Sequence, residues 1–309
     1  RSRLQQNSAA ALGGESAGLL PGLVIGDESA LSEAVRDEFK AAGLSHLTAV
    51  SGANFALICG AAIVAIRLAG ASPKGAAVCG MVVIVGFVIL VRPSPSVVRA
   101  AMMGGVGLLA LLSTRRARAL PSLGVAVLAG LLWWPELASS PGFALSVVAT
   151  AGLVLVAPAI RDRLRDWRVP PVLAEVLAIA IAAQIVTAPV IALISGTFNV
   201  VSVLANVVVA PVVGVISVMG TLAALIGMAG EVGSVCAQLL LRATAPELWW
   251  MLAVARWLGG LSWAAVDVPD GVAGMALVLL STCVGVGIAC GRRIVGAVNG
   301  AGSGCRPVD

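Results

Sequence analysis

The sequence predicts an all-α fold, a polytopic integral membrane helical bundle of about nine transmembrane helices with a broken or re-entrant helix near Pro211. Three observations carry this expectation. Hydrophobic residues make up 59% of the 309-residue chain. Charged residues make up 11%, against roughly 25% in a soluble domain, too few to clothe a water-facing surface. The apolar residues also fall in long runs, and runs of about 20 residues can cross a bilayer. The absence of Tyr and the abundance of Gly fit closely packed membrane helices, where small residues let backbones approach.

The segment up to His46 is the least apolar. Within it Leu31, Val35, Phe39 and Ala42 recur at helical spacing, with Glu33, Arg36, Asp37, Glu38 and Lys40 around the rest of the wheel. This pattern predicts an amphipathic helix on a membrane face or against the bundle, with Ser29 as its N-cap. Apolar spans follow at 49–66, 75–91, 97–112, 120–134, 143–160, 172–194, 200–229, 235–258 and 272–290. Short loops make neighbouring spans antiparallel. The run 200–229 is long and holds Pro211 and Gly214, so it reads as a half-helix followed by a full span, with the break lining a cavity. Residues 1–46 are thus expected to form an extracellular-side lead-in, 47–291 the transmembrane domain and 292–309 a cytoplasmic tail. The chain opens on Arg1-Ser2-Arg3 and closes on a Gly-rich stretch to Asp309, so the expectation is the central part of a longer protein.

Loop charges set an orientation. Arg67 with Lys74, then Arg115, Arg116 and Arg118, then Arg161, Arg163, Arg165 and Arg168, and finally Arg292 and Arg293 all fall on one side of a nine-span chain. The opposite loops hold Arg92, Glu136, the uncharged 195–199 turn, Asp267 and Asp270. The positive-inside rule then places the N-terminus outside and the C-terminus in the cytoplasm, in a bacterial inner membrane. It also gives the net charge of +5 a source that needs no anionic ligand. Trp133, Trp134, Trp249, Trp250 and Trp263 sit near the expected span ends, where interfacial Trp belongs. The six cysteines include no C-x-x-C pair, and those in the apolar runs read as small buried hydrophobes; one histidine excludes a multi-histidine metal centre.

Polar groups inside the apolar runs are the candidate functional residues. Ser51 and Asn54 share a helix face at the mouth of the first span. Arg99 lies one or two turns into the third, where it either snorkels to the interface or faces an aqueous path. Ser195, Asn199, Ser202 and Asn206 fall at i, i+4, i+7 and i+11. On one helix they form a polar stripe about 16 Å long, which must face protein or water. Gln184 and Thr187 share a face of the sixth span, and Arg242 and Arg256 a face of the eighth. His46 and Ser51 diverge by about 140° on a helix and make no catalytic pair. With no carboxylate pair or metal-ligand cluster in any span, no catalytic residue, metal or cofactor is expected, and the chain is not read as an enzyme.

Five ordered stretches resemble the competence domain of the ComEC family. They are Gly18-Leu19-Leu20-Pro21-Gly22-Leu23-Val24-Ile25-Gly26-Asp27, then Ala42 through Gly52 with its Leu47-Thr48-Ala49-Val50-Ser51-Gly52, and Pro95-Ser96-Val97-Val98-Arg99-Ala100-Ala101-Met102-Met103. Pro141-Gly142-Phe143-Ala144-Leu145-Ser146 and Leu204-Ala205-Asn206-Val207-Val208-Val209-Ala210-Pro211 complete the set. The resemblance covers roughly residues 18 to 290. It implies an inner-membrane channel that passes single-stranded DNA into the cytoplasm during natural transformation. It also implies that an OB-like domain before this region and a metallo-β-lactamase-like domain after it can flank such a chain. Where the family commonly has His two residues after the Gly of the Ser-Gly motif, this chain has Asn54, which keeps hydrogen bonding and lacks the titratable ring.

On this reading the DNA path is lined by Ser51, Asn54, Arg99, Gln184, Asn199, Ser202 and Asn206. The candidate partners are single-stranded DNA, membrane lipid, other competence-machinery proteins and a second copy of the chain. Two other readings compete. A small-solute secondary transporter also uses broken helices and midplane polar groups. An intramembrane hydrolase using Ser51 would need a base supplied from elsewhere in the chain.

Overall fold

The computed structural model describes residues 2–48, 52–91, 95–112 and 119–284, without the side chains of residues 53, 54, 73, 95 and 109–112. The described residues are helical almost throughout. Its elements are α1 (Ser2–Ala11), α2 (Gly14–Ile25), α3 (Glu33–Ala41), α4 (Ser45–Thr48), α5 (Gly52–Leu68), α6 (Pro73–Val91), α7 (Pro95–Leu112) and α8 (Ala119–Trp133). A 3₁₀ turn, Pro135–Ser139, leads to α9 (Pro141–Leu155), α10 (Ala157–Asp166) and α11 (Pro171–Ser195). Then come β1 (Thr197–Asn199), α12 (Ser202–Ile226), α13 (Gly230–Ala243), α14 (Ala245–Gly259) and β2 (Ala265–Asp267). The last described helix is α15 (Val272–Val284).

Among the described residues three helices, α6, α11 and α12, are long and apolar enough to cross a membrane, or four spans if the bent pair α9–α10 counts as one. The expected nine spans would also need apolar helices that are shorter than this. On α6, Val78, Val82, Val85 and Ile89 recur three or four residues apart and all point outward. Burying one such side chain is worth about 1.5–3 kcal/mol, so a stripe of four facing water would be strongly unfavourable, and lipid is its natural solvent. Cys79, Cys236 and Cys283 face outward too, against the expectation of buried cysteines; Cys59 is buried as expected.

The largest core joins the two ends of the chain. Leu19, Leu20, Leu23, Val24 and Ile25 of α2 are buried among Val209, Ile216 and Ala223 of α12, Leu241 of α13, and Leu248, Met251 and Leu258 of α14. The lead-in is therefore built into the bundle. Its apolar run Leu19–Ile25 is too short to read as a span, yet on one helix it is buried on every side. The amphipathic α3 is where its periodicity puts it, with Val35 and Phe39 buried against the bundle. Its N-cap is Ser32, whose hydroxyl accepts from Val35 N, and not Ser29. Ser29 instead bonds Asp27.

A second core joins α5, α6 and α7, with Phe55 and Phe87 edge to face at 5.6 Å and Val97 fully buried.

The one expected helix break is not where the sequence put it, and two spans expected to be continuous are broken. The half-helix at Pro211 is absent, and α12 runs unbroken through that residue. Proline removes one helical donor and pushes on the preceding turn, but a membrane helix tolerates this when a neighbour supplies a substitute. The Trp250 indole on α14 donates to the Val208 carbonyl at 3.2 Å, in the turn that Pro211 crowds and next to the Val207 carbonyl that loses its helical donor. The break falls instead between α9 and α10, which meet at 41°. Pro158 sits in the first turn of α10, where a helix start accepts proline and a helix interior does not. The eighth span is likewise two helices, α13 and α14, parted at Thr244, so Arg242 and Arg256 end different helices and share no face.

Candidate functional site

The polar stripe from Ser195 to Asn206 does not exist as one helical face. Gly196 adopts a left-handed conformation and ends α11, and the chain turns into β1 before α12 begins. A glycine outside the runs used for periodicity thus divides four residues whose spacing looked continuous. β1 pairs antiparallel with β2, Thr197 opposite Asp267 and Asn199 opposite Ala265. The two loops that the charge pattern put on one side of the membrane are therefore hydrogen-bonded to each other.

Each polar residue of the former stripe has a local partner. Asn199 Nδ2 donates to the Lys40 and Ala41 carbonyls, both at 2.9 Å. These are terminal carbonyls of α3, which lack partners within their own helix. Gln184 Nε2 on α11 donates to the Asn199 carbonyl at 3.1 Å. Ser202 is buried at the start of α12 against Gly43, whose φ of 71° puts it in the left-handed region after α3. A Cβ on Gly43 would stand 2.6 Å from the Ser202 Cβ, so the contact needs glycine twice over. Asn206 Nδ2 donates back to the Ser202 carbonyl at 2.8 Å. Gln184, Asn199 and Ser202 thus tie α11 and α12 to the C-terminal end of α3. An ion-pair cluster secures the same end of α3: Arg256 on α14 meets Glu38 at 3.3 Å and also pairs with Glu15 of α2.

Arg99 is a different case. Its residue is 7% exposed, so it does not snorkel to a surface. Nη1 donates to both the carbonyl and the hydroxyl oxygen of Ser146 on α9. The Ser146 hydroxyl donates in turn to Ser96 Oγ at 3.1 Å, linking α9 to the first turn of α7. Thr150 Oγ1 donates to the same Ser146 carbonyl at 2.9 Å. The Nη2 edge lies against Gly52, where any side chain would collide with it. Nε is buried without an acceptor. Among the described residues no carboxylate is within ion-pair distance of Arg99. A buried cation normally demands an opposite charge, because effective desolvation costs several kcal/mol per ion.

Of the residues expected to line a path, Ser51 lies outside the described residues, as does the side chain of Asn54. Gln184, Asn199, Ser202 and Asn206 group around the α3–α11–α12 junction, and Arg99 groups with Gly52, Ser96 and Ser146. Ser96 and Ser146 were not singled out as site residues. The signal for them lay in the ordered motifs, since the stretch that carries Ser96 and Arg99 meets the two that end on Gly52 and Ser146 at one guanidinium. Ser217 and Thr221 of α12 were also missed; both hydroxyls are buried without a partner. His46, on α4, is exposed. No group of three or more metal-ligating side chains occurs among the described residues.

The profile of the family described as Competence protein matches residues 23–293. The chain is similar to ComE operon protein 3 of Bacillus subtilis (strain 168), 26% identical over 193 residues. That match covers 62% of this chain and 24% of the relative, so the chain spans about a quarter of the length of the curated relative it matches. No solved structure matches.

Proposed function

The chain belongs to the Competence protein family, and from that membership we propose that it forms the inner-membrane channel through which single-stranded DNA enters the cytoplasm during natural transformation. One observation carries the reading beyond the family: Arg99 is a buried cation in an apolar bundle, bonded to neutral oxygens and paired with no carboxylate among the described residues. A polyanion crossing a membrane needs fixed positive charge along a path from which it can also depart. One or a few cations serve this better than the many phosphate contacts of a strong DNA binder. Ser51, Asn54, Gln184, Asn199, Ser202 and Asn206 supply neutral polar groups, and Gln184, Asn199 and Ser202 also hold α3 to the bundle.

On this proposal the 135–140 segment is extracellular, and Arg161, Arg163, Arg165 and Arg168 face the cytoplasm. Other competence-machinery proteins and a second copy of the chain are candidate partners. The chain itself carries no catalytic step. The test is entry of fluorescent DNA into the cytoplasm of cells with the gene intact, deleted and restored. Entry that depends on the gene supports the proposal, and equal entry in the deletion strain refutes it.

A further inference from the structure

Among the described residues, the guanidinium of Arg99 has more donors than its surroundings have acceptors. Nη1 shares the Ser146 carbonyl with the Thr150 hydroxyl, and Nε meets nothing. A planar guanidinium fork suits two oxygens of one oxyanion, and charge-assisted bonds of that kind are stronger than those to neutral oxygens. The surrounding backbone has the same polarity. Gly52, the first described residue of α5, lies beside Nη2, and Ser96 stands in the first described turn of α7, so the N-terminal parts of two helices, their positive halves, border this cation. Among the described residues this cation has only shared, neutral acceptors and no anion. Yet Arg99 is too buried for one to arrive while α7 and α9 stay joined through Ser146 and Ser96.

We propose that Arg99, Ser96 and Ser146 form an oxyanion site that takes one backbone phosphate of the strand at a time, and that Ser146 is the stand-in acceptor that closes the α7–α9 seam when no strand is present. A phosphate replaces the Ser146 oxygens on Nη1 and satisfies Nε. Of the seam's side-chain hydrogen bonds only the hydroxyl pair then remains, and the weakened seam parts. When the phosphate moves on, Ser146 returns and the seam closes. This inference rests on the DNA-channel reading and names the ligand and the closure at its cation.

The experiment uses the full-length protein with its native cysteines replaced and the pair Ser96→Cys, Ser146→Cys introduced, at positions whose hydroxyls now meet at 3.1 Å. The rate of disulfide formation is measured in detergent with no DNA, with a single-stranded phosphodiester oligonucleotide, and with a methylphosphonate oligonucleotide of the same sequence. The expected result is severalfold slowing by the phosphodiester strand and none by the neutral one. Equal rates in all three, or equal slowing by both strands, overturn the proposal. In cells, the oxidised pair should block DNA entry and a reductant should restore it; entry undiminished by the cross-link overturns the closure. Entry that persists without the gene sinks the channel reading itself, whereas entry that needs the gene but ignores the cross-link sinks only the closure. If the cysteine pair does not fold, Gly52→Ala tests the same point. Its Cβ displaces the flexible end of Arg99, while alanine suits a helix start no worse than glycine. Uptake should fall severalfold at equal membrane abundance, and normal uptake overturns the proposal.

Discussion

Replacing Asn199 by Ala separates the role of the α3–α11–α12 junction from that of a simple polar stripe. The substitution removes two side-chain hydrogen bonds, to the Lys40 and Ala41 carbonyls at 2.9 Å each. A hydrogen bond contributes about 0.5–1.5 kcal/mol net, which gives a ceiling of about 3 kcal/mol. The Lys40 carbonyl bond is exposed, so water replaces much of it, while the Ala41 bond is partly buried. The expected cost is therefore about 1–2 kcal/mol, concentrated at the end of α3. Asn206→Ala is the control, because its amide only bonds back to Ser202 within its own helix. Such a local bond competes with the helix backbone, and its loss should cost less than about 0.5 kcal/mol. Denaturant unfolding of the purified protein in detergent, with limited proteolysis read between α3 and α4, compares the two. Asn199→Ala should unfold at lower denaturant and be cut faster after Lys40, and Asn206→Ala should match the parent. Equal effects of the two substitutions would refute the assignment of Asn199 as the cap of α3.

Three further outcomes follow from the same structure. Arg99→Leu should fold as well as the parent, since an apolar side chain often replaces a buried charge without loss, but DNA uptake should disappear. Arg99→Lys should retain only part of it for want of the planar fork, and normal uptake by Arg99→Leu at equal expression would exclude the role given to this residue. Gly43→Ala should destabilise the fold by about 1–3 kcal/mol, from a left-handed backbone and a collision with Ser202, measured by the same unfolding assay. Cysteines at Ser139 and Ser140, in a cysteine-free background, should react with an impermeant thiol reagent added outside the cell; reaction only after permeabilisation would reverse the proposed orientation.

Much of the architecture was legible because the bilayer imposes a strong constraint on sequence. The runs behind α6, α11 and α12 are long, nearly free of charge and hard to read in any other way. The amphipathic spacing of Val35 and Phe39 placed the inner face of α3 correctly for the same reason, that periodicity reports burial. What could not be read depended on contacts distant in sequence. The burial of Leu19 through Ile25 is made by α12, α13 and α14, some 180 or more residues later. Pro211 and Pro158 carry the same local signal, and only the continuous α12 and the 41° bend between α9 and α10 tell which one stands at a helix break. The stripe misled because its periodicity was carried across Gly196, a residue whose left-handed backbone ends α11. Arg99 could be recognised as costly in the membrane, but Ser146, its partner, lies 47 positions away and emerges only when α7 meets α9.

Reconstitution tests the central claim most directly. The full-length protein is placed in vesicles and presented with a fluorescent single-stranded oligonucleotide, its double-stranded form and a labelled small solute such as an amino acid, with external DNA then destroyed by nuclease. The account predicts that the single strand becomes protected inside vesicles carrying the protein, that the duplex and the small solute do not, and that Arg99→Leu vesicles protect none of the three. Accumulation of the small solute with no protection of the single strand would contradict the account and identify the bundle as a solute transporter.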